Sequence, residues 1–133
     1  MSAFDWEAFI DVAEELMRLP GADRIRQEAR HRSAVSRAYY AAFHVAQAYI
    51  EEHALVRLTK TGRDHNLISE TLQQQPDKRL RFVGQELATL KDARQEADYS
   101  TDSMADTEEW TAAGRDAVRT VREVISILHG TSA

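Results

Sequence analysis

The stretch Ser36-Arg37-Ala38-Tyr39-Tyr40-Ala41-Ala42-Phe43-His44 decides how this chain is interpreted. It combines small alanines with an arginine, two tyrosines and a histidine. Because a packed helix favours apolar side chains, polar groups at helical spacing within it need a separate explanation. Arg37 and His44 share one helix face about 10 Å apart along the axis, with Tyr40 between them. The other face carries an apolar stripe that would meet neighbouring helices, formed by Val35, Ala38, Ala42, Val45 and Tyr49.

A second polar group interrupts an apolar series later in the chain. Arg94 takes the next position of a 3-4-3 series formed by Leu80, Val83, Leu87 and Leu90. The guanidinium therefore falls where the spacing predicts a buried apolar side chain. Asp98 and Tyr99 follow it in the segment Arg94-Gln95-Glu96-Ala97-Asp98-Tyr99.

Length and composition indicate one all-α domain over residues 1–133. Two prolines and five glycines in 133 residues leave few interruptions, and strand-like alternation is absent. Such a chain is long enough to bury a core of its own. We predict an antiparallel bundle of four to five helices in which the second helix is unusually long.

Helix boundaries follow from periodicity, caps and breakers. Ser2 and Asp5 resemble a capping box at the first helix, and Pro20-Gly21 ends that helix. The predicted helices are Phe4–Leu19, Asp23–Val56, Asp64–Gln75, Pro76 to Ala97 or Tyr99, and Asp106–His129. The last helix has a bundle seam at 4-3-4-3-4 spacing, formed by Trp110, Gly114, Ala117, Val121, Val124 and Leu128.

Several classes of site and location are excluded by what the sequence lacks. There is no cysteine, so disulfides, thiolate metal sites and thiol nucleophiles are excluded. No apolar run approaches the roughly 20 residues of a membrane span, and no signal peptide is visible. We therefore expect a cytoplasmic protein without membrane contact. Neither a metal-ligand pattern nor a glycine-rich phosphate loop is present, so we expect no metal and no cofactor.

Charge is distributed unevenly along a chain whose net charge is -5. Five arginines and one acid lie between residues 24 and 37, whereas five acids and no base lie between residues 98 and 109. The basic stretch could contact phosphates, since the planar fork of arginine suits them. It is otherwise a solvated helix face that pairs with nearby acids, or one side of a charged dimer or partner interface.

The two motifs, SRAYYAAFH at 36–44 and RQEADY at 94–99, together resemble the HEPN superfamily (higher eukaryotes and prokaryotes nucleotide-binding). The small single-domain prokaryotic branch looks most similar, and the segment at 62–68 is similar to its histidine-containing interhelical turn. This resemblance spans roughly Phe4 to Leu128. It implies a helical bundle, usually a homodimer, and often a ribonuclease toxin paired with a small nucleotidyltransferase-type antitoxin.

One departure from the family pattern concerns the chemistry. Many family members carry an Arg-x(4–6)-His signature near the end of the third main helix, commonly with a polar residue after the arginine. Here Arg94 and Gln95 match its start, but Asp98 and Tyr99 stand where the histidine is expected. The missing histidine argues against RNA cleavage by the standard Arg/His pair. Arg37 and His44 match the same string, but on the wrong helix, which we interpret as coincidence.

The resemblance marks four candidates for catalysis: Arg94, Asp98, Tyr99 and His65. Arg94 is either a structural arginine that holds Asp98 or an active-site group that stabilises charge on a phosphate. Asp98 is expected to orient an arginine, and Tyr99 to be packed with its hydroxyl hydrogen-bonded. His65 is either a surface residue at a helix start or a titratable group in a groove.

Three residues of the first motif are candidates for ligand or phosphate binding: Arg37, Tyr40 and His44. Arg37 is expected to stack on Tyr40 or to reach Asp98 across the helix pair. His44 is expected to be a satisfied interior histidine rather than a catalyst. The other histidines of the second helix, His31 and His53, are expected to be solvated.

Two functional hypotheses follow. The first is a component of a prokaryotic toxin–antitoxin or defence system that binds or cleaves RNA, or binds a nucleotide, in a groove centred on Arg94. As an enzyme it would be a metal-independent ribonuclease in which His65 or Tyr99 replaces the missing histidine. The second is a non-catalytic dimerisation module, in which Arg94, Asp98 and Tyr99 are structural and the basic helix face recruits a nucleotidyltransferase-type partner.

Overall fold

The computed structural model describes residues 4–21, 23–101 and 107–131, and it confirms the predicted all-α fold. These ranges contain no strand. The five helices are α1 (Ala8–Arg18), α2 (Arg24–Glu52), α3 (Asp64–Gln73), α4 (Lys78–Tyr99) and α5 (Thr107–Gly130).

The long helix α2 is the centre of the bundle, since it contacts each of the other four helices. Helix α1 runs antiparallel to it. Near the start of α2, Arg30 Nη1 donates to the backbone oxygen of Leu19, which follows α1, at 3.3 Å. Trp6, which precedes α1, stacks on His44 in the second half of α2.

Helices α4 and α5 run in opposite directions beside α2. Ser36 in the first half of α2 reaches Asp98 at the end of α4, so these two helices are antiparallel, as predicted. His31 near the start of α2 lies 3.0 Å from Thr111 near the start of α5, measured between Nδ1 and Oγ1. Helices α2 and α5 are therefore parallel, and both end at the same end of the bundle.

The core consists of the predicted apolar faces. All six seam residues of α5 are buried, as are Leu80, Val83, Leu87 and Leu90 of α4. The alanines of α2 are completely buried at positions 34, 38, 41, 42 and 46. Small side chains at these positions let α5, the most extensive neighbour of α2, approach closely.

Two predicted helix boundaries are wrong by four residues, and the end of α3 and the start of α4 differ by two. Helix α1 begins at Ala8 instead of Phe4, because residues 5–7 form a turn in which Asp5 Oδ1 accepts from the Glu7 N–H at 3.0 Å. Ser2, half of the predicted capping box, lies outside the described residues. Helix α2 ends at Glu52 instead of Val56, and Ala54 adopts a positive φ of 50° directly afterwards.

Helix α3 is held against α4 at Gly84. The Ser69 hydroxyl donates to the Gly84 carbonyl at 2.7 Å. A Cβ atom at position 84 would lie 2.7 Å from the Ser69 backbone oxygen and 2.8 Å from the Gln73 nitrogen. This close approach fixes α3, and with it His65, relative to α4. In the part of the chain that is described, no helix is long and apolar enough to cross a membrane.

Candidate functional site

Arg94 is the centre of the candidate site and is only 7% exposed. Its guanidinium carbon lies 5.6, 5.5 and 5.9 Å from the ring centres of Tyr39, Tyr40 and Tyr99. Arg94 Nη1 is 3.6 Å from Asp98 Oδ2, an ion pair longer than a hydrogen bond. Arg94 Nε is buried without a hydrogen-bond partner among the described residues. The apolar spacing thus correctly predicted a buried arginine, whose charge the surrounding side chains only partly compensate.

Asp98 connects Arg94 to α2. Besides the ion pair, its Oδ2 accepts a hydrogen bond from the Ser36 hydroxyl at 3.2 Å. The side chain of Asp98 is 30% exposed, so water reaches this edge of the cluster. Asp98 thus contacts both the guanidinium and a serine of α2, and its role in orienting Arg94 stays a prediction.

The end of α4, which carries Asp98 and Tyr99, is fixed by Arg32 of α2. Arg32 Nε donates to the Ala97 carbonyl at 2.7 Å, and Nη2 donates to the carbonyls of Glu96 and Ser100. These carbonyls lie at the C-terminal end of α4, where a cation is favoured, and the Glu96 carbonyl also accepts from the Ser100 N–H at 3.0 Å. The basic stretch of α2 therefore contributes at least one arginine to the fold itself.

Tyr39 is a member of the site that the sequence analysis did not single out. It is 1% exposed, and its hydroxyl lies 2.5 Å from His65 Nδ1. Burial raises the pKa of Tyr39 well above its usual range, so the hydroxyl keeps its proton. A signal was available in the spacing, since Tyr39 lies four positions after Val35 and four before Phe43, on one helix face.

His65 lies on the first turn of α3 and is half-buried, so it is not a fully solvated surface residue. Its ring stacks on Phe43, with ring centres 4.1 Å apart. Burial lowers the pKa of His65, and the cationic Lys91 and Arg94 lower it further. The imidazole is therefore neutral near pH 7, a form in which a ring nitrogen can accept a proton.

The preceding residue, Asp64, fixes the start of α3. Its carboxylate is 2% exposed and accepts hydrogen bonds from the Thr59 N–H, the Thr59 hydroxyl and the Lys60 N–H, all between 2.7 and 2.9 Å. These bonds lower the pKa of Asp64 despite its burial. These hydrogen bonds fix the loop that directly precedes His65.

Tyr40 and His44 extend the site along α2. Tyr40 is half-buried, and its ring centre lies 6.4 Å from that of His44. His44 Nδ1 is 3.1 Å from Gln47 Oε1, and its ring stacks on Trp6 at 3.6 Å. Burial lowers the pKa of His44, so this histidine is also neutral near pH 7. It is satisfied by Gln47 and Trp6, as expected of a packed histidine.

Three expectations about individual side chains are wrong. Arg37 is exposed and lies over the Phe9 ring at 5.1 Å, because its position on α2 faces α1 instead of α4. Tyr99 is 73% exposed, since it lies at the last position of α4 beyond the packed seam. His31 is buried at 3% exposure beside Thr111, because α5 covers this part of α2.

The cluster therefore combines a buried guanidinium, a neutral histidine and several tyrosine rings. Lys91, one turn before Arg94, adds a second cation and donates to Asn66 Oδ1 at 2.9 Å. Positive charge next to aromatic rings suits an anion attached to a planar group, such as a nucleotide. Within the described ranges, no group of three or more histidine or acidic side chains is placed to hold a metal ion.

Comparison with known proteins identifies the family. The family model for the HEPN domain matches residues 6–130, a range that includes all five helices and every candidate residue. A search of the curated proteins and a search of the solved structures each found no match. Because the HEPN model covers nearly the whole chain, this protein belongs to the HEPN family.

Proposed function

We propose that this HEPN protein binds a phosphate-bearing ligand, RNA or a nucleotide, at the Arg94 cluster. The observation that carries the proposal is a buried guanidinium whose Nε has no partner and whose carboxylate neighbour lies 3.6 Å away. A buried charge normally has complete hydrogen bonding. A phosphate oxygen would supply the missing acceptors, and arginine is well suited to phosphate.

Direct binding tests this proposal. Single-stranded RNA and a nucleotide panel are titrated against wild type, Arg94→Ala and Arg119→Ala. Arg119 is an exposed arginine paired with Asp116 on α5, so it is a matched control for loss of positive charge. We expect Arg94→Ala to lower affinity at least about tenfold, the effect of losing one charge-assisted phosphate contact. Equal binding by all three proteins would contradict the proposal.

If the protein cleaves RNA, the proton-transfer group must replace the missing motif histidine. His65 is supported better than Tyr99, because His65 is neutral, half-buried and oriented by Tyr39. Tyr99 is exposed and has no comparable contact to an imidazole among the described residues. The reaction needs no metal in this scheme, since arginine and histidine provide charge stabilisation and proton transfer. His65→Gln is expected to abolish cleavage without weakening RNA binding.

We further propose that the protein acts in a prokaryotic toxin–antitoxin or defence system, as a homodimer with a nucleotidyltransferase-type partner. Expression in a bacterial host tests the toxin role, with Arg94→Ala and Arg119→Ala beside wild type. Growth arrest by wild type and Arg119→Ala alone is the expected result. Equal growth in all cultures would argue against a toxin.

A second candidate function is a non-catalytic dimerisation or partner-binding module. The ion pair of Arg94 with Asp98 favours it, since the cluster then holds α2 to α4. Thermal unfolding separates the two candidates. A structural cluster predicts a large loss of stability in Arg94→Ala, several degrees in melting temperature, whereas a binding site predicts lost affinity with a smaller change.

A further inference from the structure

A separate cavity lies at the end of the bundle where α2 and α5 both finish. It has a volume of about 220 Å³, and its aromatic and aliphatic walls come from Phe4, Trp6, Tyr49, Val45, Ala48 and Leu128. Sites for drug-sized ligands usually have roughly 300–1,000 Å³, so this cavity suits a smaller molecule. Of the candidate residues discussed above, only His44 lines it.

Two aromatic rings of the cavity wall, Phe4 and Trp6, remain partly exposed. Phe4 is 58% and Trp6 39% exposed, although each packs edge to face against the other with ring centres 4.8 Å apart. Phe9 packs edge to face against both rings, with its ring centre 5.7 Å from that of Phe4 and 5.4 Å from that of Trp6. Large exposed aromatic rings at a cavity mouth often mark a contact surface.

The charges around this cavity are predominantly negative. Its acids are Asp5, Glu7 and Glu52, and none of the described residues that line it is a lysine or arginine. His129 pairs with Glu7 at 3.0 Å, and the lowered pKa of His44 keeps that residue neutral near pH 7. Neither histidine therefore gives the cavity a net positive charge.

Helix ends add to this negative potential independently of the acids. Glu52 is the last residue of α2, and the last turn of α2 contains no basic residue. Leu128 and His129 lie in the last turn of α5. Both helices thus direct their carbonyl ends toward this region, and a helix C-terminus favours a cation.

We infer that this cavity binds a small organic ammonium cation. Aromatic rings attract such cations through their faces, and alkyl groups on the nitrogen fill apolar space that an inorganic ion leaves empty. One face of Trp6 is covered by His44, so the exposed part of Trp6 and the ring of Phe4 would contact the cation. The acids and helix ends supply the countercharge. The Arg94 cluster has the opposite sign, so a phosphate-bearing ligand and an ammonium ligand would occupy different parts of the molecule.

Choline and its uncharged carbon isostere, in which a tert-butyl group replaces the trimethylammonium group, test this inference. Binding is followed by calorimetry and by the fluorescence of Trp6, with Trp6→Phe identifying its contribution relative to the buried Trp110. We expect choline to bind saturably and the isostere about tenfold more weakly or not at all. Equal binding of both compounds, or no saturable choline binding, would overturn the inference.

Variants of the acids provide the second arm. Glu52→Gln is expected to weaken choline binding about threefold or more, since a nearby unit charge is removed at a partly exposed site. Glu123→Gln is the matched control, because Glu123 is an exposed acid of α5 that does not line the cavity. Both variants should unfold like wild type. If the two substitutions change choline affinity equally, only the net charge of the protein matters and the proposed site is wrong.

Discussion

Helix α2 contacts α5 and α4 in two different ways. Helix α5 is its most extensive neighbour; α2 contributes completely buried alanines to the core, and the buried apolar residues of α5 are Trp110, Ala117, Val121, Val124, Ile125 and Leu128. Toward α4, helix α2 presents Ser36, Tyr39 and Tyr40, which surround Arg94 and Asp98. The α5 contact is mainly apolar, apart from the His31–Thr111 contact and Arg32 over the Trp110 ring, whereas the α4 contact has a buried charged group at its centre.

This difference indicates which contact sustains the fold. Close packing of small apolar side chains contributes stability with no polar group to satisfy. A buried ion pair contributes little net stability, because removing the charges from water costs about as much as their attraction returns. We therefore expect the α2–α5 contact to dominate stability and the α2–α4 contact to dominate binding.

The largest effect is expected from Ala38→Leu. Ala38 is 0% exposed, so a larger side chain must push α2 away from its neighbours. Overpacking of this kind should cost about 3 kcal/mol in the free energy of unfolding, measured by urea denaturation. Ala48→Leu, at an exposed position of the same helix, should change stability little. Similar small losses in both variants would show that α2 is not closely packed.

Arg32→Met should have the next largest effect. The methionine keeps most of the aliphatic stem but removes the donors to three carbonyls at the end of α4. We expect a loss of about 2 kcal/mol and faster hydrogen exchange in the last turn of α4. Arg26→Met, at an exposed position, is the control. Unchanged exchange in α4 would mean that Arg32 does not fix the position of Tyr99.

Tyr39→Phe should have a smaller effect, a loss of about 1 kcal/mol, because it removes one hydrogen bond and leaves His65 Nδ1 without this partner. The ring and its packing remain. Tyr99→Phe is the control, since Tyr99 is 73% exposed and should show almost no change. Equal stability of the two variants would indicate that the bond between Tyr39 and His65 contributes nothing.

The smallest expected effect is the contribution of His65 to the pH dependence of the free energy of unfolding. Its pKa is lower in the folded chain than the usual value near 6.5, so the unfolded chain binds more protons in that range. Stability should therefore fall as pH decreases from about 7 to about 5, and His65→Gln should reduce this dependence. His44→Gln serves as a comparison, because burial also lowers its pKa. If the pH dependence of stability is the same in His65→Gln and wild type, the pKa of His65 is not lowered by folding.

Much of the fold was predictable because it depends on periodic burial. The seam of α5 and the apolar series ending at Arg94 follow helical spacing closely, and both are buried as that spacing indicates. The end of α2 was not predictable in the same way. The residue with positive φ after α2 is Ala54, not a glycine, and no proline directly follows it, so the sequence there has no residue that typically ends a helix.

The candidate site was predictable only in part. Spacing correctly placed Arg94 on the buried face of α4, because it lies on a regular helix. It failed for Arg37 and Tyr99, whose surroundings depend on how α1 packs and on where α4 ends. Tyr39 was overlooked because its role depends on a hydrogen bond to a residue 26 positions away.

The uninterrupted course of α2 has a mechanical consequence. Its 29 residues contain neither glycine nor proline and span roughly 43 Å at 1.5 Å per residue. Tyr40 and Glu52 therefore lie on one rigid helix, twelve positions apart. A rigid tilt of α2 would move both locations together.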